Sequence, residues 1–212
     1  MISVAVLTAG IGVLSIAWLG PLPTLAQHSF SAHMTMHMAV VALAAPLIAI
    51  ALSGSRLDPT RARARLVSPI PASIVELVVV WGWHTPALHY AARNGTWPLV
   101  VEQASFLAAG LLLWMSAIGG DRPHRRLRGG AGIAALLFTS MHMTLLGALF
   151  ALAPRPLFPH VPSGPEALAP LDDQHLGGAI MLLVGGASYL AGGLWLTAIV
   201  LRPPLARRES LT

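Results

Sequence analysis

The stretch "HMTMHMAVVALAAPLIAIALS", residues 33 to 53, indicates the fold class by itself, because it contains no Asp, Glu, Lys or Arg. A helix of about 20 mostly apolar residues is long enough to cross a lipid bilayer. The complete chain of 212 residues is 55% hydrophobic and only 10% charged, which is too apolar for an ordinary soluble domain. We therefore predict an all-α protein that is embedded in a membrane.

Six segments of this kind follow one another along the chain. The third is the weakest, because Glu76 interrupts it and Pro86 ends it. The connections are short and rich in Pro, Gly and Arg, and none is long enough for a soluble domain. We predict one membrane domain over residues 1–212, a polytopic helical bundle whose spanning helices lie at approximately 2–20, 33–53, 70–88, 98–119, 131–153 and 176–201.

The basic residues are all arginines and lie between the apolar segments, which argues against a nucleic-acid-binding surface. Only Arg93 and Arg155 fall on one side of the predicted bundle. By the positive-inside rule the other side is cytoplasmic, so both termini are cytoplasmic if all six segments span. The first segment lacks the basic start of a signal peptide, so we expect an uncleaved helix. The cytoplasmic set is Arg56, Arg61, Arg63, Arg65, Arg122, Arg125, Arg126, Arg128, Arg202, Arg207 and Arg208.

Histidine and methionine residues are concentrated at the start of the second segment. His33 and His37 are four residues apart, so on a helix their rings share one face and can bind one metal ion. Met34 and Met38 repeat this spacing on the neighbouring face. Thioether and imidazole together favour copper(I), and a chain without cysteine has no thiolate for zinc or an iron–sulfur cluster. The alternative is that the methionines serve packing and that His33 is an interfacial residue.

Two further histidines are candidate ligands. His84 stands at the outer end of the third segment beside Trp81 and Trp83, aromatic residues that are common at membrane interfaces. Pro86 is expected to end that helix and to leave carbonyl groups free for water or an ion. His142 lies near the middle of the fifth segment, where an ionisable side chain is by default a functional candidate. The alternative for His142 is a hydrogen bond to a carbonyl group of a neighbouring helix.

Acidic side chains complete the candidate polar groups. Glu102 lies about one turn inside the fourth segment, and Glu76 lies deeper in the third. Each can orient a ligand imidazole, carry protons or pair with an arginine such as Arg155. Asp173 precedes the sixth segment, where we expect it or its acidic neighbour to cap that helix.

Five stretches, taken together and in order, carry a family resemblance: "SAHMTMHM", "WGWHTPALHYAA", "FLAAGLLLW", "LLGALFALAPRPLFP" and "LDDQHLGGAIM". They resemble the landmarks of the CtaG family of bacterial cytochrome c oxidase assembly proteins, in its polytopic, cysteine-free type. The resemblance implies a multi-pass protein of the bacterial inner membrane that helps to mature a haem–copper oxidase, by handling copper destined for it. Its implied partners are oxidase subunits, the lipid bilayer and a periplasmic copper donor.

The chain departs from this family pattern at one position. Where relatives often carry Glu-His at the start of the fourth helix, this sequence reads Glu102-Gln103, which puts a ligand at position 103 in doubt. The positions that match the family motifs are His33 and His37, His84 and Pro86, Arg155 and Pro156, and Asp173, Gln174 and Met181.

We predict a copper-binding assembly factor, not an enzyme, in which His33, His37 and His84 hold copper that enters from the outer face. One alternative is a haem b or quinone-linked oxidoreductase, because two histidines on facing helices can ligate a haem iron; His142 with a second histidine is the pair to suspect. Against it, the histidines gather at one membrane face. Another alternative is a metal-free scaffold that holds oxidase subunits together.

Overall fold

The computed structural model describes residues 3–62, 68–120, 122–158 and 168–202, including their side chains other than those of 62 and 122–127. Within these residues the chain is helical or irregular and contains no β-strand, so the predicted all-α class is confirmed. The helices are α1 (Val4–Leu19), α2 (Leu22–Leu25), α3 (Phe30–Leu52), α4 (Pro59–Ala62), α5 (Pro69–Trp83), α6 (Pro86–Asn94), α7 (Thr96–Ile118), α8 (Arg122–Ala151) and α9 (Pro170–Leu201).

Each of the six predicted segments coincides with one of the long helices, namely α1, α3, α5, α7, α8 and α9. Among the described residues, four helices are long and apolar enough to cross a membrane: α3, α7, α9 and the Arg128–Ala151 part of α8. Helices α1 and α5 are apolar but shorter. The count of six spans, the orientation and the single domain therefore stay predictions. Four of the arginines used for the orientation lie outside the described residues: Arg63, Arg65, Arg207 and Arg208.

The predicted third segment, 70–88, is wrong at its C-terminal end, because the helix stops before His84 and a new helix begins at Pro86. The carbonyl of Val80 accepts hydrogen bonds from the backbone N–H of His84 at 3.2 Å and from its ring Nδ1 at 2.6 Å. The carbonyl of Gly82 accepts from the Thr85 hydroxyl at 2.8 Å. Two of the carbonyl groups that we expected to be free for water or an ion, those of Val80 and Gly82, thus accept hydrogen bonds from His84 and Thr85.

Helix α3 contains a π-helical stretch, Ala39–Ala44, which is explained by a proline. Pro46 has no N–H, so the carbonyl of Ala42 loses the donor that an α-helix would place four residues later. The hydroxyl of Ser188 on α9 donates to that carbonyl at 2.6 Å. Since no water reaches the apolar interior of a membrane protein, the neighbouring helix has to satisfy this group. A second π-helical stretch begins at Met181, opposite the first.

Small residues on α9 let it approach its neighbours closely. A Cβ atom at Gly192 would lie 2.5 Å from two ring carbons of Trp114, so only glycine fits there. Ser188, on the same face, contacts α3 through its hydroxyl. Ala187 and Ala191 are exposed. The close approach therefore involves Ser188 and Gly192, whereas Ala187 and Ala191 face away from the bundle.

At the opposite end of the bundle from His33, the loop after α3 is tied to the end of α7 by one carboxylate. Asp58 accepts hydrogen bonds from the backbone N–H groups of Gly54 at 2.8 Å, Thr60 at 2.9 Å and Gly120 at 2.6 Å. Gly54 and Gly120 have φ angles of 74° and 84°, a region that favours glycine. Burial raises the pKa of Asp58, but these hydrogen bonds outweigh burial and hold the pKa below its usual range.

Candidate metal centre

The first turn of α3 is fixed by a carboxylate of α9. Asp173 accepts hydrogen bonds from the backbone N–H of Phe30 at 2.5 Å and of Ser31 at 3.1 Å. We expected Asp173 or its acidic neighbour to cap their own helix, and for Asp173 this is wrong, because it is the fourth residue of α9, within the first turn rather than at the cap position. It caps α3 instead, where a negative charge also complements the helix dipole. The cap thereby holds the helix turn that carries His33.

His33 and His37 share one face of α3, as their spacing predicts. Both are buried, and their ring centroids lie 4.3 Å apart. Glu102 of α7 is also buried, and its Oε1 atom lies 3.2 Å from Nε2 of His33 and 3.5 Å from Nε2 of His37. One donor atom from each of the three residues lies within 4.8 Å of the other two. Two imidazoles and a carboxylate at this spacing form a donor set suited to a transition-metal ion.

Gln103, next to Glu102, determines how the imidazole of His37 is protonated. The indole N–H of Trp18 donates to Oε1 of Gln103 at 3.2 Å, which assigns the other end of the amide as the N–H₂ group. This group lies 2.9 Å from Nδ1 of His37 and donates to it. In the neutral imidazole the proton is then on Nε2, directed at Glu102. The sequence made a metal ligand at position 103 doubtful. In the structure, the residue at this position orients a candidate ligand, His37.

His84 joins this group through Met34. Its ring centroid lies 5.6 Å from that of His37, so two of the predicted ligands come from different helices and lie close together. Nε2 of His84 lies 3.4 Å from the sulfur of Met34, and both side chains are buried. Met34 therefore points at His84 and belongs to the surroundings of the candidate site.

His89 of α6 is a further member of the group, although the predicted ligand set did not include it. Its ring centroid lies 4.8 Å from that of His33 and 4.3 Å from that of Phe158, and among the described residues neither ring nitrogen has a hydrogen-bond partner. Burial, reinforced by His33 and His84, lowers the pKa of His89 far below its usual range, so the ring is neutral. The sequence feature that could have pointed to His89 is Pro86, three residues earlier. Proline is common at the first position of a helix, so His89 could be expected in the first turn of a new helix that begins close to His84. We call His33, His37, His84 and His89 the histidine cluster.

Two of the predicted metal ligands lie apart from the cluster. The sulfur of Met38 lies 3.4 Å from the position that a Cβ atom would take at Gly185, so it points toward α9. His142 is buried, its ring packs against Phe138, and both its nitrogens lack a hydrogen-bond partner among the described residues. The alternative hydrogen bond from His142 to a neighbouring carbonyl is therefore not observed there.

The remaining predicted polar residues also lie elsewhere. Glu76 is buried in α5 and accepts a hydrogen bond from the hydroxyl of Tyr189 on α9. Arg155 follows α8 and is exposed. Arg93 of α6 donates to the carbonyl of Gln27 at 2.9 Å. The ion pairs that we considered for the two glutamates are thus replaced by a tyrosine partner in one case and by imidazoles in the other.

Comparison with known proteins adds the family. The family model for the cytochrome c oxidase caa3 assembly factor (Caa3_CtaG) matches residues 3–202, which is nearly the whole chain. The chain belongs to this family. Its resemblance to CtaG proteins is thereby confirmed, and an assembly role for cytochrome c oxidase follows at the level of the family. No curated protein and no solved structure matches the chain.

Residues that match the family motifs meet at one end of the bundle. His33, His37 and His84 lie in the histidine cluster, and Asp173 caps the helix that carries two of them. Gln174 connects the elements beside it, because it accepts from the backbone N–H of Leu157 at 2.6 Å and donates to the carbonyl of Phe150 at 3.3 Å. The motifs of this caa3 assembly factor therefore comprise a candidate ligand set and the side chains that hold its walls.

Proposed function

We propose that this caa3 assembly factor binds copper as cargo at the histidine cluster and helps to deliver it to the oxidase. The observation that carries the proposal is the donor set of His33, His37 and Glu102, all buried, with donor atoms within 4.8 Å of one another. The copper would come from the outer side of the bacterial inner membrane, from a periplasmic donor. The protein itself acts as a binding and transfer factor rather than as an enzyme.

The unusual feature of this set is a buried carboxylate whose partners are imidazoles. The ion pairs of Glu102 among the described residues are with His33 and His37, and both are charged only if protonated. An ionised carboxylate is costly to bury without a cation. A bound metal ion supplies that cation, and imidazole nitrogens are suitable ligands for copper. His37 adds a buried Nε2 atom that has no hydrogen bond of good geometry within the part of the chain that the structure describes.

The haem alternative receives less support from the same geometry. His33 and His37 contact each other edge to face on one helix, whereas axial haem ligands lie on opposite sides of a porphyrin ring. The ring contact of His142 among the described residues is with Phe138 rather than with a second histidine. We therefore place copper before haem for this chain.

The decisive experiment measures oxidase activity and copper content in membranes. It compares strains that each carry one variant of the protein and are grown at low or high copper. In His33→Ala/His37→Ala and in Glu102→Gln we expect oxidase activity to fall at low copper while the protein remains abundant. Added copper restores part of the activity, because mass action offsets a weakened affinity. The matched control is His142→Ala, which also removes a buried histidine but lies apart from the cluster.

The outcome also separates copper handling from scaffolding. A metal-free scaffold predicts nearly unchanged activity in the histidine and Glu102 variants at every copper concentration. Full oxidase activity of His33→Ala/His37→Ala at low copper, with normal abundance, would overturn the proposal and favour the scaffold.

A further inference from the structure

The thioether sulfur of Met34 and the ring Nε2 of His84 face each other, and both atoms are hydrogen-bond acceptors. Nδ1 of His84 lies 2.6 Å from the carbonyl oxygen of Val80, and a carbonyl can only accept, so Nδ1 carries the proton. In the neutral imidazole, Nε2 is then an acceptor. Nε2 lies 3.4 Å from the thioether sulfur of Met34, which has no proton to donate. Two acceptors cannot hydrogen-bond to each other, but a metal ion is an electrophile that can bind both.

The distance fits one shared metal ion. Metal–nitrogen and metal–sulfur bonds in proteins are about 2.0–2.3 Å long, so two donor atoms less than about 4 Å apart can bind the same ion. The sulfur and Nε2, at 3.4 Å, meet this condition without movement of either helix. A thioether paired with an imidazole is a soft donor set and favours copper(I).

This pair is distinct from the donor set of His33, His37 and Glu102. Successive residues of a helix point about 100° apart, so Met34 projects from a different side of α3 than His33 and His37. The proton on Nε2 of His37 is directed at Glu102, and Nε2 of His33 lies 3.2 Å from the same oxygen. Those two imidazoles must shift protons before both Nε2 atoms can bind a metal ion. His84 requires no such change.

The surroundings of the pair exclude water. The ring of His84 stacks on Phe150 with a centroid distance of 5.5 Å, and Met34 is fully buried. A Cβ atom at Gly177 would lie 3.0 Å from Cγ of Met34, so the glycine leaves room for the thioether. An apolar site with one soft thioether and one imidazole suits copper(I), which accepts few ligands, better than copper(II) with its bound water.

We propose that Met34 and His84 form a second, softer metal position that captures copper(I), beside the harder set of His33, His37 and Glu102. The inference rests on the proposed function in assuming that copper is the metal that reaches the cluster. It adds which atoms bind copper(I) first, and it predicts copper–sulfur bonding in a chain that has no cysteine.

The test uses the purified full-length protein in detergent, loaded without oxygen with copper(I) and, separately, in air with copper(II). X-ray absorption of the copper(I) sample is expected to show sulfur scattering from one thioether in the wild type. In Met34→Leu that scattering disappears, and competition with a chromophoric chelator gives a copper(I) affinity lower by about tenfold or more. The copper(II) electron paramagnetic resonance signal is expected to stay unchanged, since Met34 is not in the harder set.

The matched control is Met38→Leu, which removes a buried thioether from the same helix at a site directed toward Gly185. It is expected to keep sulfur scattering and copper(I) affinity. Copper(I) bound by the wild type with nitrogen and oxygen scattering alone would overturn the inference, even if Met34→Leu failed to fold. Loss of sulfur scattering in Met38→Leu would do so as well. By contrast, a wild-type protein that binds neither oxidation state would overturn the proposed function itself.

Discussion

The carboxylate of Asp173 accepts a hydrogen bond of 2.5 Å from the backbone N–H of Phe30, across 143 positions of sequence. This contact joins the first turn of α9 to the first turn of α3. Because His33 lies on the next turn of α3, the contact also fixes the candidate metal centre relative to α9. The family motif that contains Asp173, near the end of the chain, therefore positions the motif that contains His33, near its beginning.

Removal of this cap should destabilise the protein. Asp173→Ala deprives the first turn of α3 of an acceptor and of a negative charge, and loss of such a cap costs about 0.5–2 kcal/mol. We expect a lower free energy of unfolding, measured by titrating detergent-solubilised protein with a denaturing detergent. Asp172→Ala is the control, since Asp172 is adjacent but exposed. Equal losses in the two variants would show that the cap contributes nothing specific.

The hydrogen bond from Ser188 to Ala42 predicts a coupling between two substitutions. Ser188→Ala leaves the Ala42 carbonyl unsatisfied, which costs about 1–3 kcal/mol for a buried group. Pro46→Ala restores a backbone N–H to α3, so in that background Ser188→Ala should cost less. The double-mutant cycle is measured by the same unfolding titration. Additive effects would mean that proline does not create the need for the serine.

The long helices could be predicted from composition because the membrane requirement for apolar length is simple. The break at His84 could be predicted only in part. Pro86 signals an ending, but the satisfaction of the Val80 and Gly82 carbonyls depends on side chains that fold back onto the helix. The short helix α6 was missed, because with only nine residues it lacks a long apolar run.

The candidate site shows a similar division. The spacing of His33 and His37 is a local property of one helix, so their shared face could be predicted. The position of Glu102 between them, and the roles of Gln103 and His89, depend on how three helices pack, which spacing does not encode. Met38 has the same spacing from Met34 as His37 from His33, yet it contacts α9, because α3 is buried on more than one side.

Gly192 and Ala191 form a matched pair for testing packing. Gly192→Leu would drive a side chain into the ring of Trp114, whereas Ala191 is exposed. We expect Gly192→Leu to lower the yield of folded protein, because overpacking typically costs about 1–3 kcal/mol or more. Ala191→Leu should fold normally. Protein yield and monodispersity in detergent are the readouts, and a well-folded Gly192→Leu protein would contradict the observed contact.

The orientation of the bundle gives a further prediction. The segments around Arg61 and Arg126 and the C-terminus should face the cytoplasm, because most arginines lie on that side. Fusions of a cytoplasm-active and a periplasm-active reporter at these three positions measure it. A fusion after Arg93 serves as the opposite control. Periplasmic activity of a fusion at Arg208 would reverse the assignment or require an odd number of spans.

Gln103 opposes, in its present arrangement, the use of His37 as a ligand through Nε2. The Gln103 amide donates to Nδ1 at 2.9 Å, which keeps the imidazole proton on Nε2, where a metal ion would bind. Binding moves that proton to Nδ1, where it meets an N–H₂ group. A carboxylate at position 103 would accept both this proton and the indole N–H of Trp18, which now binds Gln103 at 3.2 Å.

Gln103→Glu should therefore bind copper(II) more tightly than the wild type, by about 10- to 100-fold, the usual size of effects from groups that orient a ligand imidazole. Gln103→Leu is the matched variant: it removes the opposing amide without supplying an acceptor, so we expect a smaller gain. Affinity is measured by chelator competition with purified protein. Comparison of the two variants separates two explanations. If only the added negative charge raises the copper(II) affinity, Gln103→Leu will show no gain; if the amide opposes binding, Gln103→Leu will show a small gain. Weaker binding in both variants would show that Gln103 supports His37 as a ligand rather than opposing it.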